Sequence, residues 1–270
     1  MIIAHTPDAD DAFMFYGLLS GKVSVNFEIE QVVEDIETLN KRAFNNEIDV
    51  TALSAHSYAF LHDKYRILST GASVGDGYGP VVVGNREDMS VEGKRIAVPG
   101  RYTTANLLLK LALDHFQPVE MRFDKVIPAV KSGEVDAGLL IHEGQITYPQ
   151  HGLIKVVDLW HWWYERTKLP LPLGINAIKR DISEEKQREF LAAMRESVQY
   201  ALENVDEALQ YAMKYSRGVD KALVKKFALM YVNDYTYEMP EAVVKAYDEL
   251  YRMAARKGFF AKPHLDILFL

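Results

Sequence analysis

The 270-residue chain has no cysteine, and that one absence removes disulfide staples, Cys-based zinc sites, iron–sulfur clusters and thiol nucleophiles together. It leaves the compartment open, because a cysteine-free chain suits an oxidising or a reducing setting equally. Positive charge is scarce as well: 31 Lys and Arg against 38 Asp and Glu give a formal net charge of -7. Nucleic-acid phosphates bind basic patches, so no nucleic-acid partner is expected. Long apolar runs are missing too. AFMFYGLL and YTTANLLLKLAL fall well short of the roughly 20 apolar residues that a membrane span needs, so no membrane partner is expected. The opening MIIAHTPDADD has neither the basic region nor the apolar run of a secretory signal and reads as a strand entering a loop. The expectation is a soluble, cytoplasmic protein with a small-molecule partner. Also absent are a G-x-x-x-x-G-K-[ST] phosphate loop, a G-x-G-x-x-G turn, a G-x-S-x-G elbow and an H-E-x-x-H pair. Nucleotide hydrolysis, Rossmann-type redox chemistry and zinc proteolysis therefore lack support.

What is present is core-forming material, with 49% hydrophobic and 26% charged residues, enough for one large domain or two lobes. Strands and helices alternate through the first two thirds. Strands are expected at residues 1–5, 25–31, 48–53, 67–70, 95–98, 119–123 and 137–141. Helices are expected at 10–20, 36–45, 54–62, from Thr103 or Thr104 onward, and at 125–131. The glycine-rich segment 71–79 reads as a loop that bends or binds. From Ser183 the pattern is helical almost to the end, with Pro240 in the first turn of a helix that runs to about Arg256. The aromatic tail from Gly258 is expected to pack back on the body.

The two halves resemble each other. Residues 47–53 read EIDVTAL and residues 134–140 read EVDAGLL; each string follows a helical stretch and precedes a histidine, His56 or His142. Upstream, MIIAHTPDADDAFMFYGLL and RIAVPGRYTTANLLLKLAL both run strand, short polar loop, helix. One matched string arises readily in any α/β protein, whereas two in the same order indicate a βαβαβ plan used twice. The fold class is therefore α/β with two lobes and a ligand cleft between them, at the strand C-termini where open sheets bind ligands. Crossings near Gly84 and near residues 173–177 divide the chain into 1–84 plus 177–270 and 85–176. No oligomeric state follows from the sequence.

Candidate chemistry collects at those strand ends. The loop 99–104 opens a helix, whose free N–H groups and dipole favour an anion. Thr103 and Thr104 stand there; an N-cap explains one of them, and the other is available to a ligand such as a carboxylate. Ser54 starts a second helix after Leu53 in the same way. His142 ends a buried strand and can take a proton near neutral pH. Its neighbour Glu143 reads as a solvent-facing loop acid. The run of His5, Asp8, Asp10 and Asp11 offers no glycine to wrap a cation. Asp8 or Asp10 is better explained as a helix cap and Asp11 as a first-turn acid, so no metal site is assigned. Trp160, Trp162 and Trp163 read mainly as packing, with one ring available to wall the pocket.

The strings TPDADDAFMFYGL, VVEDIETLN, LSAHSYA, GYGPVVV, VPGRYTTANLLL, GEVDAGLLIHEGQITYP and RTKLPLPLG, in this order to about Gly174, resemble the 1,4-dihydroxy-6-naphthoate synthase family of the futalosine route to menaquinone. GEVDAGLL alone is common to many periplasmic-binding-protein-like folds; its continuation through IHEGQITYP, with GRYTTA, is specific. The resemblance implies a two-lobed (type 2) periplasmic-binding-protein fold without export. It also implies a carbon–carbon lyase that converts cyclic dehypoxanthine futalosine into 1,4-dihydroxy-6-naphthoate, with no metal or organic cofactor. It puts the family's proton-accepting histidine at His142 and its substrate contacts at Ala52, Leu53 and Ser54 and at Thr103 with Thr104. Members of the family tend to carry lysine before the Leu-Ser pair; with Ala52 here, that position contributes only backbone or shape. Two other readings compete: a chorismate dehydratase-like enzyme of the same pathway, and a non-catalytic small-anion-binding protein. The missing signal counts against the second of these.

Overall fold

The computed structural model describes residues 1–215 and 220–270. Its strands fall into two sheets. The first half supplies β1 (Ile2–His5), β2 (Glu30–Val33), β3 (Val50–Ser54), β4 (Tyr65–Leu68) and β5 (Ser73–Gly75) to one sheet. The chain then crosses to a second sheet, built from β6 (Val81–Gly84), β7 (Arg95–Val98), β8 (Gln117–Glu120), β9 (Ala137–Leu140) and β10 (Ile154–Asp158). It returns through β11 (Leu171–Lys179) and β12 (Ile267–Leu268) to the first. The strand orders are β12-β4-β11-β3-β1-β2, with β5 also on β11, and β10-β6-β9-β7-β8.

The repeated strings occupy equivalent places. β1 lies between β2 and β3 and runs parallel to both, while β7 lies between β8 and β9 and runs parallel to both. An antiparallel strand then flanks each repeat, β11 on β3 with Leu53 opposite Ile175, and β6 on β9 with Val82 opposite Leu139. All residues of β3 and β9 are buried, as continuous apolar strands covered on both faces must be. Sheet membership places the crossings between β5 and β6 and between β10 and β11. Residues 81–84 thus belong to the second sheet and residues 171–176 to the first, whereas the sequence division at 84 and 177 put each of them on the opposite side.

Local departures from expectation have identifiable causes. The helix expected over residues 10–20 forms as Ala9–Met14 and Tyr16–Leu19, because the Ser197 hydroxyl enters the ladder between them. That hydroxyl donates to the Met14 carbonyl at 2.8 Å and accepts from the Leu18 N–H at 3.0 Å, a substitution for the usual helical bond that bends the chain. β11, central in its sheet, is absent from the expected strands, and it contains Pro172, a residue that is unusual in a central strand. Pro172 is accommodated at a register shift where β11 meets β5. β5 itself lies inside the segment expected to be loop. The C-terminal helices Glu184–Glu203, Val205–Ala212, Lys221–Tyr231 and Glu241–Arg256 cover the first sheet and its flank; of the expected helical run, residues 216–219 lie outside the described residues. The tail packs back as β12, with Ile267 opposite Ile67. Among the described residues no helix is long and apolar enough to cross a membrane.

Candidate active site

The doubled plan points two equivalent loops, residues 6–8 after β1 and residues 99–103 after β7, at one cleft between the sheets. The cleft spans about 690 Å³, counting the part open to solvent, and is lined from both sides. Of the residues singled out in the sequence, Ala52, Leu53, Ser54, Thr103, Thr104 and His142 all line it.

One wall is the start of the helix Thr104–Ala112. Thr103 is its N-cap: its side chain accepts from the Asn106 N–H at 3.3 Å and donates to the Gly100 carbonyl at 3.0 Å. The Thr104 hydroxyl is also committed, donating to the Leu173 carbonyl at 2.5 Å and accepting from the His56 N–H at 3.3 Å, so it ties the second lobe to the first. The Leu107 N–H bonds back to the Thr103 carbonyl, which leaves the first-turn N–H groups of Thr104 and Ala105 as the donors that helix geometry turns outward. Both residues line the cleft. Across from them Ser54 accepts from Asn40 Nδ2 at 3.1 Å, and its side chain makes no cap bond to its own helix, so its O–H proton remains to be given. The feature that suits an anion is therefore the pair of backbone N–H groups with Ser54, rather than the threonine hydroxyls themselves.

His142 stands just beyond the C-terminal end of β9 with a left-handed backbone, φ 55°, a conformation that a non-glycine residue adopts only when its surroundings enforce it. Gln145 supplies that enforcement. With its amide oriented to satisfy its neighbours, Oε1 accepts from the His142 N–H at 3.1 Å and Nε2 donates to the Gly79 carbonyl at 2.7 Å and to the Tyr231 hydroxyl at 2.9 Å. The imidazole packs edge-on against Phe123 at 5.1 Å, and its Nδ1 lies 2.7 Å from Asp8 Oδ2. Asp8 belongs to the first lobe and His142 to the second, so the pair exists only across the closed cleft. A carboxylate accepting from Nδ1–H makes Nε2 the basic nitrogen of the neutral ring.

Sequence reasoning gave the cap to either Asp8 or Asp10. Asp8 does hold the N-cap position of Ala9–Met14, but its side chain makes no cap hydrogen bond and reaches His142 instead. The available signal was its place at the C-terminal edge of a buried strand, where a cap and a site residue look alike. The other acids divide their tasks. Asp11 accepts from the Thr6 N–H at 2.7 Å; burial raises its pKa, against the pull of His5. Asp10 lines the cleft, and burial together with Asp11, Asp8 and Glu143 pushes its pKa well above the ordinary carboxyl range. Glu143 is buried, 5% exposed, rather than solvent-facing. None of the tryptophans walls the cleft: Trp163 is fully buried and donates to the Leu169 and Pro170 carbonyls, and Trp160 stacks on Tyr164.

Asn176 was missed. On β11 opposite Ala52, it lines the cleft and donates through Nδ2 to the Gly71 carbonyl at 2.9 Å. Gly71 has φ 93°, and a Cβ there would meet Asn176 Nδ2 at 2.5 Å, so the glycine makes room for the amide.

Two sheets of this order enclosing a cleft define the periplasmic-binding-protein fold. The structure is similar to the ligand-binding component of an ABC-type import system from Staphylococcus aureus (TM-score 0.73, 14% identity, covering 98% of this chain and 94% of that one). It is also similar to the alkanesulfonate-binding protein of Xanthomonas axonopodis pv. citri bound to MOPS (TM-score 0.71, 12% identity, 99% and 97%). A crystal structure of a protein from Archaeoglobus fulgidus matches at TM-score 0.94 and 68% identity over 96% of this chain and 98% of that one. The family described as Menaquinone biosynthesis matches residues 1–256. Proteins named 1,4-dihydroxy-6-naphtoate synthase are 41% identical in Thermus thermophilus, over 96% of this chain and 95% of the relative, and 32% identical in Streptomyces coelicolor, over 95% and 93%. The chain belongs to this menaquinone biosynthesis family of enzymes.

Proposed function

We propose that the protein is a 1,4-dihydroxy-6-naphthoate synthase, a carbon–carbon lyase acting on cyclic dehypoxanthine futalosine, with His142 as its base. The observation that carries the reading is the Asp8–His142 pair, 2.7 Å apart and drawn from opposite lobes, in the cleft that also holds the helix start at Thr104. The substrate carboxylate is placed at the N–H groups of Thr104 and Ala105, with Ser54 as a further donor and Ala52 and Leu53 as the shaped surface beneath the ring. His142 Nε2 then takes a ring proton. The electron pair released enters the ring, the bond to the ribose-derived portion breaks, and that portion leaves carrying the proton that His142 took. The ring becomes aromatic, which supplies the thermodynamic pull. Asp8 holds the imidazole in the tautomer that accepts at Nε2 and stabilises the cation that forms, a division of labour worth roughly 10²- to 10⁴-fold in rate for the base. Closure excludes water while the carbanion character lasts. The scheme uses no metal or organic cofactor and goes with a cytoplasmic location.

The test is to incubate the protein separately with cyclic dehypoxanthine futalosine and with chorismate and to follow product absorbance. Naphthoate from the first alone supports the reading. Dehydration of chorismate would make the protein the neighbouring enzyme, and turnover of neither would make it a binding module.

A further inference from the structure

Besides the helix start at Thr104 and the Asp8–His142 pair, the cleft lining holds two buried polar atoms that the proposed reaction does not use, on neighbouring elements: Asn176 Nδ2 lies 3.7 Å from Met14 Sδ, one helical turn from Asp10. Asn176, 1% exposed, spends Nδ2 on the Gly71 carbonyl, and its Oδ1 has no hydrogen-bond partner among the described residues. Asp10, 7% exposed, likewise has no partner for Oδ1 among the described residues. Leaving a buried polar atom unpaired costs about 1–3 kcal/mol, so each is expected to meet a hydrogen-bond partner when the cleft is filled. The site is built for this: Gly71 gives up a side chain to admit Asn176, and both Asn176 and Asp10 line the cleft.

We infer that Asp10 and Asn176 form a subsite for the uncharged, hydroxyl-bearing end of the substrate, apart from the carboxylate end at Thr104 and Ala105. On the reading given above, that end is the ribose-derived portion. A hydroxyl matches both groups, donating to Asn176 Oδ1 and accepting from Asp10. Burial and the neighbouring carboxylates of Asp11, Asp8 and Glu143 push the Asp10 pKa up and favour its protonated form, which presents an O–H as well as an acceptor. An anion fits badly here: it would lie among those carboxylates and face Asn176 Oδ1, acceptor against acceptor. The cleft therefore orients a substrate that is charged at one end and hydroxylated at the other.

The test uses two probes that need no turnover, benzoate and 3-ribofuranosylbenzoate, with dissociation constants measured by calorimetry on the native protein and on Asp10→Asn, Asp10→Ala and Asn176→Ala. Two neutral hydrogen bonds predict about tenfold tighter binding of the ribosyl probe to the native protein. Asp10→Asn, the neutral isostere, should keep that advantage within about threefold, whereas Asp10→Ala and Asn176→Ala should each remove most of it and leave benzoate unchanged. Asn176→Ser serves in place of the alanine variant if that variant lowers the melting temperature. Equal binding of the two probes to the native protein overturns the subsite, as does loss of the advantage in Asp10→Asn, which would mean that the ionised carboxylate is what binds. If the native protein fails to turn over cyclic dehypoxanthine futalosine and yet keeps the ribosyl advantage, the proposed reaction falls and the subsite stands. If turnover is normal without the advantage, only the subsite falls.

Discussion

His56 and His142 follow equivalent strands, β3 and β9, and have opposite environments. His56 lies under Phe60, Tyr102 and Phe260 with its Nδ1 3.3 Å from the Thr103 carbonyl. Burial first, and then Lys110 and Arg101, lowers its pKa to about 4, so it is a neutral packing residue. His142 meets Asp8 from the other lobe at 2.7 Å. The loops that precede them differ in the same sense: after β1 come Asp8, Asp10 and Asp11, and after β7 come Arg101 and a capped helix start. A duplicated topology thus assigns equal places, while the partner reaching in from the opposite lobe decides which place does chemistry.

The largest effect that would break this contrast comes from replacing each histidine in turn. His142→Ala is expected to lower kcat/KM for naphthoate formation about 10³-fold with the fold intact, and His56→Gln to leave it within about threefold. Equal losses at the two positions would end the distinction.

His56 should declare itself in stability instead. Its folded pKa, about 4, lies below the ordinary 6.5, so as pH falls the unfolded chain takes up the proton first. Stability from this group is full above 6.5 and is lost as pH falls from 6.5 toward 4, by at most about 3 kcal/mol. Denaturant melts of the native protein and His56→Gln across that range should differ in slope, the variant being flatter.

Asp8→Ala comes next. Losing the group that orients the base should cost roughly 10²-fold in kcat with KM little changed, and Asp8→Asn, whose Oδ1 still accepts from Nδ1–H, should recover part of it. A pure rise in KM would instead assign Asp8 to substrate binding. Gly71→Ala is the smallest, costing about 1–3 kcal/mol in melting experiments because the residue has φ 93° and its Cβ would press on Asn176 Nδ2. A silent Gly71→Ala would show that the amide tolerates displacement.

The pieces legible in the sequence were those written locally. Paired strings such as EIDVTAL and EVDAGLL announce the repeat, and strand-end residues such as Ser54, Thr103 and His142 announce the cleft, because burial pattern and capping chemistry act over a few residues. What stayed hidden depends on neighbours distant in the chain. Asp8 gives the same local pattern as an N-cap, and only the approach of His142, brought by the second lobe, changes its task. Asn176 gains meaning from Gly71, 105 residues away. β11 carries Pro172, which local rules count against a central strand, yet the register shift at β5 absorbs it.

Isotope-edited NMR of the side-chain nitrogens of His142, assigned by their disappearance in His142→Ala, tests most directly whether the cleft holds a base prepared by Asp8. With Asp8 accepting at 2.7 Å, the neutral ring is expected to carry its proton on Nδ1 and to show an unprotonated Nε2, a preference that Asp8→Ala should erase. A neutral ring protonated on Nε2 in the native protein would contradict His142 as the base.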